Sequence, residues 1–299
     1  MKTQLTVSIA ICTFNGEKYL QEQLDSIINQ SYQNLEIIIV DDCSTDGTIT
    51  LLKKYQTENT NIKLVLNEIN IGFNQNFKKA IQLCTSDFIA IADQDDIWET
   101  EKIALLVKKI GNNLLLYHDS AYIDENGNLT GKSTSSHHRF VSGNCAEKLI
   151  YYNCISGHAC LIKKELINLL PKFDPGIYYD WWLAYTAACT GKIDYITNKL
   201  VRHRKHAESS TGQDKSDAKK LRVKHFQLFL NHPLTPNSLK VLLNKLITYY
   251  QQLNYIKFSL KLFKLLLANS SSLFFIRKKS LYSQIRFMIK ESSGQRISD

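Results

Sequence analysis

Short apolar runs that stop abruptly at polar clusters constrain this chain most. Leu5–Cys12, Glu36–Val40 (EIIIV), Ile62–Leu66, Phe88–Ala92 (FIAIA) and Leu114–His118 are strand-length segments. Glu36–Val40 is a continuous apolar run of the kind buried on both faces of a sheet. Helical patterns lie between them. Glu17–Asn29 puts Leu20, Leu24, Ile27 and Ile28 on one face, and Gly47–Tyr55, Phe73–Cys84 and Glu99–Ile110 read as further helices. Strands alternating with helices predict βαβ crossovers and an α/β fold whose mainly parallel sheet is flanked by helices.

The pattern loosens after Asp119. Asp124-Glu125-Asn126-Gly127 signals a turn, and polar Ser133–Ser142 is expected to be a mobile loop, with His137-His138-Arg139 over an acceptor site. Helical signals return at Lys163–Leu170 and Asp180–Thr190, followed by a strand at Ile193–Ile196. The chain then becomes nearly Gly-free helix, read as Ser216–Leu230, Ser238–Leu267 and Leu273–Ile289. A length of 299 residues suits one large domain, or one of about 200 residues with an extension. The division expected is a catalytic domain over 1–213, with halves meeting near 118/119, and a helical region over 214–299.

Charge follows the same division. Residues 1–198 carry a net −6 and residues 199–299 a net +15, so an acidic front precedes a basic tail that suits an anionic partner. The seven cysteines include no CxxC pair, which points to neither a zinc ribbon nor a disulfide scaffold but to thiols kept reduced in a cytosol. Leu5–Cys12 follows a lysine but lacks a small-residue cleavage site, so a first strand is expected there, not a signal peptide. No apolar run reaches the roughly 18 residues of a membrane-spanning helix.

In open parallel sheets, ligands gather beyond the carboxyl ends of the strands. Three strand ends here are unusually polar: Cys12-Thr13-Phe14-Asn15-Gly16, Asp41-Asp42-Cys43-Ser44-Thr45-Asp46-Gly47 and Asp93-Gln94-Asp95-Asp96-Ile97-Trp98. No GxGxxG or Walker A motif accompanies them. Three carboxylates within four residues repel one another unless a cation lies between them, and Mg²⁺ or Mn²⁺ binds through one or two carboxylates plus substrate phosphates. Helix capping accounts for Asp46 and is an alternative for Asp95 or Asp96. It does not account for Asp42 at the tip of an apolar strand, where a carboxylate suits a base or ribose.

The segments VSIAICTFNGEKYL, LEIIIVDDCSTDGT and FIAIADQDDIW resemble, in order and spacing, the opening of a family 2 glycosyltransferase of the GT-A fold. The likeness covers roughly residues 5–206, with YYDWWLAYTAACTGKIDYI and LVRHRKHAESSTG similar to the family's later catalytic segments. It implies inverting transfer of a sugar from a nucleotide diphosphate, UDP- or dTDP-linked, to a hydroxyl of a glycan or lipid-linked saccharide, with Mn²⁺ or Mg²⁺. By resemblance, Thr13, Phe14 and Asn15 form the first nucleotide loop and Asp42 reads the base. Asp93 and Asp95 form the DxD pair, with Asp95 the direct metal ligand and Asp93 nearer the ribose. Asp180 matches the catalytic base, and His206 a segment that approaches the metal and diphosphate. Ala207-Glu208-Ser209 departs from the small or amide residues common after that histidine.

The residues fit such a transfer. One base must remove the acceptor proton, and the indoles of Trp181 and Trp182 beside Asp180 would raise its pKa by desolvation. Asp180 also sits where a helix N-cap would. The departing diphosphate gains charge that a metal and Arg204 can neutralise. Gly157 suits close backbone approach to a sugar. His158 reads as a hydrogen-bonded core residue or a sugar contact, and Trp181 and Trp182 as rings suited to stack on a sugar, with one of them core. The basic tail is expected to make peripheral contact with an anionic membrane at the inner face of the cell membrane, or to pack as a bundle or homodimer contact. A nucleotidyltransferase, or an anionic-surface or nucleic-acid binder, is the alternative. The first would carry a Gly-rich basic loop after strand one, and the second leaves the acidic strand ends unexplained, so no nucleic acid is expected.

Overall fold

A computed structural model describes residues 5–171, 173–206, 218–253 and 255–294. The strands are β1 (Val7–Thr13), β2 (Leu35–Asp41), β3 (Ile62–Leu66), β4 (Phe88–Ala92), β5 (Ile97–Trp98), β6 (Leu115–Ile123), β7 (Leu129–Ser133), β8 (Cys160–Lys163) and β9 (Ile193–Arg204). They form one sheet in the order β3-β2-β1-β4-β8-β6-β9-β5, with β7 paired to β6. The pairs β1–β2, β1–β4, β2–β3 and β6–β9 are parallel, and β8 runs antiparallel between β4 and β6.

Both faces of β1 are covered, as its composition requires. Val7, Ile9 and Ile11 join one core with Leu20, Leu24 and Ile27 of the helix Glu17–Ile28. Ala10 and Cys12 join the other, with Phe77 and Ile81 of the helix Phe73–Leu83. β2 alternates likewise, Ile37 and Ile39 against Ile38 and Val40. Each isoleucine so buried contributes about 2 kcal/mol.

Four differences from the sequence expectation have local causes. Strand β9 runs on to Arg204 because β6 and β5 pair with it on both sides. The short β8 lies directly before the helix Lys164–Leu169, so its four residues show no alternation. The expected helix 238–267 is two, Asn237–Gln252 and Leu260–Ala268, since the Ser259 hydroxyl caps the second by accepting from Leu262 N–H. In 273–289, Leu273 ends a short turn of helix, Ser280 caps Leu281–Ser292, and 274–280 is a strap between them. The segment expected to be mobile, 133–142, is instead docked on that strap. Arg139 donates its N–H to the Ile276 carbonyl at 2.7 Å, and Lys278 donates its N–H to the His137 carbonyl at 3.1 Å.

The tail is continuous with the catalytic core. The helix Tyr179–Cys189 is apolar nearly all round and is covered by the helix Ala218–Asn231, whose Phe229 ring lies 4.2 Å from that of Tyr185. Phe226, Leu243, Leu246, Leu262 and Leu266 belong to the same core as Trp182. The boundary expected at 213/214 lies outside the described residues, as does Ala207-Glu208-Ser209. Among the described residues no helix is long and apolar enough to cross a membrane.

Candidate active site

The three polar strand ends meet and are tied together. The Thr13 hydroxyl donates to Asp41 Oδ2 at 2.8 Å, joining the tips of β1 and β2. Asn15, in left-handed backbone at φ 47°, donates its N–H to Ser44 Oγ and accepts from the Thr45 N–H through Oδ1. Gln94 spans the first and third clusters, accepting from Phe14 N–H at 2.8 Å and donating to the Phe14 carbonyl at 3.0 Å. That leaves the Phe14 ring largely exposed.

Asp42 is buried, and its carboxylate organises the next loop: Oδ1 accepts from Asn67 Nδ2 and Ile71 N–H, and Oδ2 from Gly72 N–H. Gly72 has φ 82°, a conformation that favours glycine.

The acidic turn after β4 separates its three carboxylates. Asp93 Oδ2 lies 3.1 Å from His158 Nδ1. Asp95 Oδ2 lies 2.8 Å from His206 Nε2. Asp96 is fully buried, its Oδ1 accepting from Arg204 N–H at 3.0 Å and lying 2.9 Å from His203 Nδ1. Burial alone would raise the Asp96 pKa, but the imidazoles of His203 and His158 and the Arg204 N–H hold it well below the usual carboxylate range. Burial opposes charge on His203, and the Asp96 carboxylate overcomes it, pushing His203 up. Burial and the charges of Asp96 and Asp93 push Asp95 up, against the His206 contact.

Asp93, Asp96, His158 and His203 each place a ligand atom within 4.8 Å of the others. The rings of His158 and His203 stack with centroids 4.3 Å apart, and His158 Nε2 meets Ser120 Oγ at 3.1 Å. Behind them, buried Lys102 donates to the His158 carbonyl at 2.6 Å and lies 3.3 Å from the centre of the Trp98 ring. Carboxylate oxygen and imidazole nitrogen are donors that a divalent metal ion accepts. Within the set, Asp96 pairs closely with His203 and Asp93 has the most exposed side chain, whereas the Asp95–His206 pair lies outside it with both side chains partly exposed.

Arg204 does not stand free to meet a diphosphate. Its buried guanidinium donates to the Asp95 carbonyl at 2.9 Å, the Glu125 carbonyl at 3.1 Å and Glu22 at 2.5 Å, over the Tyr19 ring. It braces the acidic turn from behind.

Asp180 opens the helix Tyr179–Cys189 and is half-buried, its Oδ1 accepting from Trp181 N–H at 2.6 Å and lying 3.5 Å from Asn153 Nδ2. Burial pushes its carboxyl up to about 7. The Asp93 charge adds to the rise, and the N–H groups of Trp181 and Gly157 oppose it. The tryptophans turn away from this opening. Trp182 is buried against Phe229 and His232, and Trp181 donates its indole N–H to the Leu149 carbonyl at 2.7 Å. Gly157 is required by packing, because a Cβ there would collide with the Tyr179 hydroxyl.

The site thus joins Asp93, Asp95, His158 and His206 to the loops of Thr13 and Asn15, with Asp180 near enough to feel Asp93. Sequence reasoning missed Gln94, Lys102, Asn153 and His203. Of these His203 and Gln94 carried a signal, their places in the quoted RHRKH and DQDD segments.

The model of glycosyl transferase family 2 matches residues 8–170. The dTDP-rhamnosyl transferase RfbG of Shigella flexneri is 29% identical over 222 residues, covering 68% of this chain and 73% of that protein. Among solved structures, S. aureus TarS 1–349 in complex with UDP-GlcNAc superposes with a TM-score of 0.64 at 20% identity, over 95% of this chain and 79% of that one. The mannosyltransferase PcManGT of Pyrobaculum calidifontis, in complex with GDP-Man and Mn²⁺, gives a TM-score of 0.54 at 19% identity, over 96% and 79%. The structural likenesses show the GT-A fold, and the family match spans more than half of the chain. This protein is a glycosyltransferase of family 2.

Proposed function

We propose that it transfers a sugar, with inversion, from a UDP- or dTDP-sugar to a hydroxyl of a glycan or lipid-linked saccharide, in surface-polysaccharide assembly at the cytoplasmic face of the membrane. One observation carries the reading: Asp180, a carboxyl lifted to about 7, opens the helix Tyr179–Cys189 near a cluster whose acids face imidazoles. An inverting transfer needs one such base.

Asp180 takes the acceptor's hydroxyl proton as the oxygen attacks the anomeric carbon, and the bond to the diphosphate oxygen breaks on the opposite side. The Trp181 N–H at 2.6 Å fixes the carboxyl, leaving its other oxygen to work as base. Asp95 and His206, with Asp93, are the residues that would hold a divalent ion. When bound, the ion supplies positive charge against the diphosphate. The relatives support a nucleotide-sugar donor: RfbG is named for dTDP-rhamnose transfer, TarS is seen with UDP-GlcNAc, and PcManGT with GDP-Man and Mn²⁺. The tail, with its net +15, makes peripheral contact with an anionic membrane, the competing role being a homodimer contact.

Labelled UDP-, dTDP- and GDP-sugars, incubated with the wild type and with Asp180→Asn, test the reading. Metal-stimulated donor turnover in the wild type, lost in the variant, is expected. No turnover of any donor by the wild type, with or without Mn²⁺, would sink it.

A further inference from the structure

A cavity of about 300 Å³ opens between the strap 274–280, the helix Leu281–Ser292 and Tyr152, and no residue of the acidic cluster lines it. Its walls are the rings of Tyr152, Phe274 and Phe287, and Ser283 lines it as well. Two cations, Arg277 and Lys279, stand in the same lining, and the Arg277 guanidinium sits 4.9 Å above the Tyr152 ring. Both are exposed, as is Lys278 between them.

Among the described residues, no carboxylate of the tail offsets them. Residues 218–294 contain one acid, Glu291, which is buried and engaged by Arg222 and the Tyr250 hydroxyl. Beside the cavity, Leu281 and Tyr282 are 69% and 71% exposed. Aromatic walls, cations without acidic partners and apolar side chains turned outward match an amphiphile with an anionic head. At the small end of ligand-pocket volumes, the cavity suits a head and the start of a chain.

We propose that this cavity binds a phosphate-headed lipid of the bilayer. The phosphate meets Arg277 and Lys279, and the first part of the chain lies on Tyr152, Phe274 and Phe287. Arginine and lysine both suit phosphate, the first by bidentate hydrogen bonding and the second as a point charge. The proposal deepens the membrane contact above and takes its lipid source from that reading, but it does not depend on sugar transfer.

Two variants of the intact chain test it. Ser283→Trp fills the cavity without changing charge, and Arg277→Ala/Lys279→Ala removes the cations without filling it. Binding is measured to phosphatidylcholine vesicles with and without phosphatidylglycerol, and by titration with dihexanoyl phosphatidic acid and with glycerol phosphate. Circular dichroism melting confirms that each variant folds.

The wild type is expected to bind the phosphatidylglycerol vesicles and the short-chain lipid, and each variant to bind both at least about tenfold more weakly. Diffuse attraction to the tail predicts instead that Ser283→Trp floats with vesicles like wild type, and that result overturns the cavity. So does undiminished short-chain lipid binding by Arg277→Ala/Lys279→Ala, or glycerol phosphate binding as tightly as the lipid. Short-chain lipid binding without vesicle binding would uphold the cavity and remove the membrane contact. Binding of neither overturns the proposal, and donor turnover, measured separately, reports on the glycosyltransferase reading alone.

Discussion

His206 Nε2 and Asp95 Oδ2 lie 2.8 Å apart across 111 residues of sequence, joining the acidic turn after β4 to the segment that follows β9. The neighbouring pair, Asp96 and His203, is as close at 2.9 Å but has a fully buried acid. Two acid–imidazole pairs from the same two segments thus have different consequences. One is accessible to a ligand, and the other holds the segments together.

For the accessible pair, Asp95→Asn is expected to weaken Mn²⁺-dependent nucleotide binding. Loss of a group that only orients a ligand costs about 10–100-fold in metal affinity, so loss of the ligand itself should reach at least the upper end. The protein should melt within a few degrees of the wild type. Isothermal titration with UDP and dTDP, with and without Mn²⁺, measures this. Wild-type metal-dependent binding by the variant would remove Asp95 from the metal site.

For the buried pair, Asp96→Ala is expected to damage the fold. It strands His203, whose charge the carboxylate supports, and it unpairs the Arg204 N–H. Removing one partner of a buried ion pair costs about 3–5 kcal/mol. Urea unfolding should show a loss of that order, and an unchanged midpoint would mean that Asp96 is there for the ligand.

As the proposed base, Asp180 is expected to set the pH dependence of transfer. Its carboxyl, lifted to about 7 chiefly by burial, works as a base only when ionised. Turnover at saturating donor and acceptor should therefore fall as pH drops through about 7 and level off above it. Asp180→Asn should keep donor binding and reduce turnover by at least about 100-fold, as general-base catalysis contributes 10²–10⁴. A profile flat between pH 5.5 and 8.5, roughly 1.5 units either side of that value, would move the base elsewhere.

The doubly wound half was legible because period and burial agree in it. Ile62–Leu66 and Phe88–Ala92 have the observed bounds to the residue, since each run is mostly apolar, with Lys63 the one charge, and is bounded by turns. The acidic turn and Asp180 were legible for the opposite reason, as charges at the edge of apolar segments. What could not be read were partners distant in sequence. Arg204 looks like a free cation until Glu22 and the Glu125 carbonyl fill its hydrogen bonds. Trp181 gives no sign in the sequence that its indole N–H is taken by the Leu149 carbonyl. Asp42, expected to read the base, also accepts from Ile71 and Gly72, partners that its own segment does not announce. The breaks at 253–259 and 274–280 carry no Gly or Pro, so only the serine caps, Ser259 and Ser280, mark them.

Gly157 and Tyr179 allow a test in which one substitution corrects another. The glycine has no left-handed backbone to explain it. What excludes a side chain is the Tyr179 hydroxyl, which occupies the place of a Cβ. That hydroxyl is held in position, since the Tyr179 ring stacks on Phe77 at 4.4 Å and its N–H donates to Asn74 at 2.8 Å. Gly157→Ala should therefore destabilise by about 1–3 kcal/mol, the usual cost of overfilling a packed site. It should also lower turnover, because the Gly157 N–H acts on Asp180. Tyr179→Phe removes the nearest atom but leaves the ring carbon Cζ 2.7 Å from the added Cβ, so the double variant should recover only part of the lost stability in a double-mutant cycle. If the two losses simply add in urea unfolding, the contact is not what keeps residue 157 a glycine.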